Sequence, residues 1–142
     1  MSVSLRSIVT AIACATALAA ASPALAQMVN LKADLKASNE VPPNPSPATG
    51  SVTATYDSAS KKLTWKGSYS GLTGPATAAH FHTAEAGKNG GVTVPIAPNA
   101  SPFEGSATLT AEQEADLMAG RLYVNIHTNE HKGGEIRGQM MK

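Results

Sequence analysis

The sequence holds a single cysteine, Cys14, and it lies within an uncharged run from Ser7 to Ala26. That run follows Arg6 and closes on Ala24-Leu25-Ala26, a small-x-small pattern of the kind signal peptidases cut after. The expectation is a signal peptide over residues 1–26 and a single domain over residues 27–142. A lipoprotein anchor would need the cysteine at the cleavage point, but few apolar residues precede Cys14 and Ala11 stands where leucine is usual. Once the leader is removed no thiol remains, which excludes disulfides and thiolate metal ligands from the mature domain.

Charge of one sign is lacking too. Removing Arg6 leaves ten basic and ten acidic residues, and a neutral chain does not supply the clustered Lys and Arg that phosphate binding draws on, so nucleic acid is excluded as a partner. Long apolar runs are equally scarce. Ile8 to Ala21 falls short of the roughly 20 residues that span a bilayer, Pro23 follows it, and no later segment comes closer, so no transmembrane segment is expected in the mature chain. There is no thiol nucleophile, no glycine-rich phosphate loop and no Gly-x-Ser-x-Gly elbow. These absences favour a binding or structural module over an enzyme.

What is present is a succession of short alternating runs. Val29, Leu31, Ala33 and Leu35 alternate with Asn30, Lys32, Asp34 and Lys36, as a half-buried antiparallel strand reads. Pro42, Pro43, Pro45 and Pro47 remove backbone donors and fix φ, so Asn39 to Gly50 is expected to be a loop. Val52, Ala54 and Tyr56 precede a turn at Asp57-Ser58-Ala59-Ser60, and Leu63, Trp65 and Tyr69 continue on a return strand. Further strands are expected over Thr77–Ala84, Val92–Ile96, Phe103–Leu109, Arg121–Thr128 and Glu135–Met141. Thr110 with Gln113 predicts a capping box and Gly120 the matching stop, giving one short helix with Leu117 and Met118 inward. The expected fold is all-β, an antiparallel Greek-key β-sandwich of immunoglobulin-like or superoxide-dismutase-like type.

Four histidines lie in the second half of the chain, His80, His82, His127 and His131. Residues two apart on a strand share a face about 6.6–7 Å apart, so His80 and His82 can aim at one point. Leu122, Val124 and Ile126 form the apolar face of a later strand, which puts Tyr123, Asn125 and His127 on the other. If that strand runs beside Ala79–Thr83, His80, His82 and His127 meet as a three-imidazole metal site for Cu or Zn, with His131 as a candidate fourth ligand. The competing reading of the same residues is a set of polar groups on a half-buried face.

Other candidates read as structural. Glu135 and Arg137 are expected to form a salt bridge with each other or across strands. Glu40 reads as a loop acid capping backbone, Glu85 as a surface turn carboxylate beside His82, and Trp65 and Tyr69 as packing residues.

Taken together, Asn39-Glu40-Val41-Pro42-Pro43, Ala48-Thr49-Gly50, Ser70-Gly71-Leu72, Ala79-His80-Phe81-His82, Leu109-Thr110 with Gln113, Tyr123-Val124-Asn125-Ile126-His127-Thr128 and Gly134-Glu135-Ile136-Arg137-Gly138-Gln139 closely resemble the CHRD (chordin) domain. The resemblance spans nearly the whole expected mature chain in order. It implies a compact β-sandwich of exported bacterial proteins, repeated in the growth-factor antagonist chordin, with histidines at His80, His82 and His127. It implies no particular activity. A proline-containing turn is common in the family where His131-Lys132 stand.

The His-x-His strand is also similar to the copper strand of Cu/Zn superoxide dismutases, although this chain lacks their disulfide and zinc cluster. The resulting expectation is a periplasmic or secreted CHRD-domain binding or structural module that binds a metal through three histidines and works with a protein or envelope partner. The rivals are a copper-dependent superoxide dismutase-like oxidoreductase and a purely structural envelope protein.

Overall fold

The computed structural model describes residues 25–142. The expected signal peptide falls outside the described residues up to position 24, and Leu25 and Ala26 are exposed and outside any element. Gln27 is anchored to the fold: its backbone N–H donates to Ser58 Oγ at 2.8 Å and its carbonyl accepts from Ser58 N at 3.1 Å.

Eight strands follow: β1 (Met28–Lys36), β2 (Thr49–Asp57), β3 (Lys62–Ser70), β4 (Ala78–Thr83), β5 (Gly91–Pro95), β6 (Phe103–Thr108), β7 (Leu122–His127) and β8 (Ile136–Gln139). One α-helix, α1 (Ala111–Met118), sits between β6 and β7, and a 3-10 turn over Ala37–Asn39 follows β1. The expected strands are all present, while that 3-10 turn had no sequence signal.

All pairings are antiparallel, and the strands form one sheet in the order β5-β4-β7-β8-β1-β2-β3-β6. The sheet curls nearly into a barrel. Trp65 on β3 and Phe81 on β4 are far apart in strand order, yet their rings meet edge to face at 5.0 Å between centroids. Only a strongly curved sheet brings them together, and the curl follows from the handed twist of adjacent strands. The expected Greek-key sandwich therefore holds as far as an antiparallel all-β fold. Its two halves are not separate sheets: Lys36 pairs with Arg137 and Lys32 with Met141, a narrow seam that side-chain periodicity cannot reveal.

Alternation decides the inner face. Val29, Leu31, Ala33 and Leu35 of β1 are buried while their neighbours are exposed, and Val52, Ala54, Tyr56, Leu63, Trp65, Ala79, Phe81, Leu122, Val124, Ile126 and Ile136 complete the same core. Each buried Val, Leu, Ile or Phe among them contributes roughly 1.5–3 kcal/mol by leaving water.

The helix buries Leu117 in the core. Thr110 Oγ1 accepts from Gln113 N and Gln113 Oε1 from Thr110 N, the expected capping box. Gly120, at φ +72°, ends the helix with Gly120 N–H on Leu117 O and Arg121 N–H on Asp116 O, bonds that satisfy its last carbonyls. No helix among the described residues is long and apolar enough to cross a membrane.

Candidate metal centre

Strands β4 and β7 are direct neighbours, with Ala78 opposite His127, His80 opposite Asn125 and His82 opposite Tyr123. Residues opposite one another in an antiparallel pair project to the same face. Since Phe81 and Val124 point into the core, the histidines project to the outer face. His127 is then the diagonal neighbour of His80.

The three rings converge. One nitrogen from each of His80, His82 and His127 lies within 4.8 Å of the others. Nδ1 of His80 is 3.2 Å from Nε2 of His127, and the ring centroids are 5.1 Å apart for His80 and His127, 5.4 Å for His80 and His82, and 6.1 Å for His82 and His127.

Two rings are oriented from behind. His82 Nδ1 is 3.0 Å from the carbonyl oxygen of Gly90, and His127 Nδ1 is 2.8 Å from that of Lys132. A carbonyl only accepts, so each Nδ1 carries the proton and each Nε2 presents a lone pair. Nε2 of His82 is buried and has no hydrogen-bond partner. Burial, reinforced by the neighbouring rings, holds His80 below the ordinary imidazole pKa. Burial is also the main cause that lowers His82, with the charges of His127 and Arg137 acting in the same direction. Both rings are accordingly neutral at neutral pH, the form that ligates metals.

Gly90 is a hub for this arrangement. Its carbonyl holds His82 while its N–H donates to the Tyr123 hydroxyl at 3.2 Å. A Cβ at position 90 would collide with the carbonyl oxygen of Thr83, so only glycine fits so close to β4. Tyr123 stacks on His82 with centroids 4.9 Å apart and planes 5° from parallel. The Arg137 guanidinium, coming from the strand on the other side of β7, lies 3.4 Å over the same tyrosine ring. Arg137 also donates to Asn89 Oδ1 at 2.9 Å and to the carbonyl of Lys88, and Asn89 Nδ2 donates to Val41 O at 2.8 Å. A chain of contacts thus runs from buried Arg137 on β8 through the exposed residues 88 and 89 and Gly90 to His82.

The expected salt bridge between Glu135 and Arg137 does not form. Although two apart, the first ends a loop and the second begins a stack. Glu135 is buried and ringed by neutral donors: Ser46 Oγ at 2.6 Å, Thr73 N at 2.9 Å, Thr73 Oγ1 at 2.8 Å and Thr128 Oγ1 at 2.7 Å. Burial opposes its ionisation, but these hydrogen bonds outweigh that and lower its pKa.

Glu40 is more than a loop acid that caps backbone. Its backbone N–H caps Ala37 O at 3.2 Å, but its side chain is buried with Oε1 unpartnered. Burial pushes its pKa up to about 7, against the opposing charge of Arg137 and the Asn125 amide.

The remaining candidates lie apart. Glu85 pairs with Lys88 at 3.0 Å in an exposed turn. His131 is not in the cluster, and its backbone instead closes the 128–134 loop on Thr128 and Gly134. Trp65 is core and Tyr69 donates its hydroxyl to Asn99 O at 2.8 Å, packing roles as expected.

Gly90, Tyr123, Arg137 and the Lys132 carbonyl were not singled out as parts of the site from sequence. Alternation already put Tyr123 on the face of His127, but no sequence signal marks a backbone carbonyl as an orienting group.

The CHRD domain model matches residues 31–140, a span that takes in all three clustered histidines and every strand except the start of β1. No curated protein and no solved structure matches the chain. The chain belongs to the CHRD domain family.

Proposed function

We propose that this domain is an exported metal-binding module in which His80, His82 and His127 hold one transition-metal ion, copper or zinc. The observation that carries the reading is the convergence of the three imidazoles, one nitrogen of each within 4.8 Å of the others, with Nε2 of His82 buried and unpartnered. An orphaned buried acceptor costs roughly 1–3 kcal/mol, a penalty that a bound cation removes.

The donor set fits such an ion. Imidazole nitrogens bind zinc at about 2.0–2.1 Å, which in a tetrahedron sets two ligand atoms roughly 3.3 Å apart. His80 Nδ1 and His127 Nε2 already stand at 3.2 Å. Gly90 and Lys132 supply the outer carbonyls that commonly fix a ligating histidine's tautomer. Metal-bound, the ion would link β4 to β7 and take its chemistry from imidazole ligation, which suits copper and zinc alike.

Export, to the periplasm or beyond the cell, rests on the leader-like residues 1–26 of the sequence. We take the two halves of the curled sheet as the layers of a Greek-key sandwich, and the module as one that serves a protein or envelope partner.

Metal analysis after dialysis against zinc or copper at neutral pH tests the site. One equivalent is expected for the wild type and for His131→Ala, with loss in His82→Ala and in His127→Ala. A wild type that retains no stoichiometric metal overturns the proposal. A dismutation assay on the copper-loaded protein separates a carrier from an oxidoreductase.

A further inference from the structure

The donor count raises a question that the three histidines do not answer, namely what completes the coordination sphere. We infer that a divalent ion at His80, His82 and His127 keeps a solvent-facing position at which it exchanges water for a small inorganic monoanion. This rests on the metal reading above and goes beyond it by naming a ligand class.

Three observations support the inference. First, among the described residues the cluster contains three donors and no fourth: Glu85 is tied to Lys88, and His131 lies outside the group. Three protein ligands with a fourth position left to water or substrate is the arrangement of open sites, whereas closed structural sites supply four. Second, His82 is buried while His80 and His127 are half-buried, so the ion would have protein on its inner side and water on its outer side.

The third observation is charge. All three donors are neutral imidazoles, so a divalent ion keeps its full charge, unlike one held by carboxylates or thiolates. The nearest fixed charge behind it is also positive: Arg137 is 2 % exposed, lies against the tyrosine that stacks on His82, and makes no ion pair among the described residues. The buried carboxyl facing it, Glu40, has its pKa pushed up to about 7 by burial, so at neutral pH it is only about half ionised and offsets that charge in part. A cationic centre at a partly desolvated surface attracts an anion more strongly than bulk water screens it.

The exchange is a simple ligand substitution. The metal–water bond breaks, a metal–anion bond forms, water leaves with its electron pair, and no oxidation state changes.

Azide is a suitable probe, because its complex with copper(II) absorbs where neither component does. The purified protein is loaded with one equivalent of copper(II) and titrated with azide at constant ionic strength, with chloride as the competing anion. A new charge-transfer band that saturates at one azide per copper, with a matching change in the copper electron paramagnetic resonance spectrum, is expected. His131→Ala should show the same band.

If copper is held stoichiometrically and its spectra are unmoved by excess azide, this inference is overturned while the metal site stands. If azide strips the copper from the protein, the position is not an open one and the inference likewise falls. If copper is not held at all, the site proposal and this inference fall together.

Discussion

His80 Nδ1 and His127 Nε2 lie 3.2 Å apart across 47 residues of sequence, and the carbonyl of Lys132 determines which of them carries the proton between them. Because Nδ1 of His127 donates to that carbonyl, its Nε2 in the neutral ring is an acceptor. The shared proton therefore belongs to Nδ1 of His80. The site as it stands is one proton transfer away from three convergent lone pairs.

This assignment makes a prediction about tautomers. Imidazole nitrogen NMR of the metal-free protein at neutral pH should show all three rings protonated at Nδ1. Zinc should convert His80 alone to the Nε2–H form, because its Nδ1 must then face the metal, and leave His82 and His127 as they were. A His80 ring that keeps its Nδ1 proton in the zinc-loaded protein would show that it does not ligate through that atom.

Gly90 offers a second test. Its N–H and carbonyl hold Tyr123 and His82, and any Cβ there meets the Thr83 carbonyl oxygen. Gly90→Ala must push residues 88–90 away from β4, at a cost of about 1–3 kcal/mol for the forced displacement. Zinc affinity should fall by at least tenfold, since loss of an orienting partner of this kind typically costs 10–100-fold. Gly87→Ala in the same loop, where a Cβ meets nothing within 4 Å, should leave zinc affinity unchanged, its cost being confined to the backbone at φ +79°. Calorimetric zinc titration and thermal melts of the two variants check both statements.

Much of this geometry was legible beforehand, and the limit has a physical cause. Period-two alternation put Leu122, Val124 and Ile126 inside and His127 outside, and His80 with His82 on one face, because the pleat leaves no other choice. Pairing of β4 with β7 had to be assumed, since the two are separated by β5, β6 and α1. Glu135 and Arg137 read as salt-bridge formers, with each other or across strands, because strand charges of opposite sign commonly pair. In the folded chain one carboxylate is satisfied by three hydroxyls and an amide, and the guanidinium by an aromatic face and loop acceptors. Neutral partners leave no charge pattern in a sequence.

Glu135 supplies a third prediction. Ser46, Thr73 and Thr128 come from three different loops and converge on its two oxygens. Glu135→Gln would replace one oxygen with an NH2 that faces donors, so destabilisation of about 2–4 kcal/mol is expected from lost charge-assisted bonds and a mismatched buried group. The carboxyl is lowered in the fold, so its contribution is complete above its unfolded pKa of about 4.5 and disappears as pH falls through the lower folded value. Denaturant melts should therefore show the gap between wild type and variant closing in acid. A constant gap down to pH 2 would contradict this role.

Glu40 should behave in the opposite sense. Burial raises its pKa from 4.5 to about 7, so the folded state favours the neutral acid. The charged groups nearest it are Arg137, which opposes the shift, and Glu130 and Lys132, which line the adjoining cleft with His131. Below pH 4.5 the carboxyl is protonated in both states and costs nothing. As pH rises from there to about 7 the unfolded chain ionises first, and stability falls by up to about 3 kcal/mol before levelling off. Glu40→Gln keeps the shape and removes the ionisation, so the variant should match the wild type near pH 4.5 and exceed it at pH 8. Urea midpoints across that range are the measurement. If the two proteins keep a fixed difference from pH 4.5 to 8, the buried carboxyl is not the group that responds.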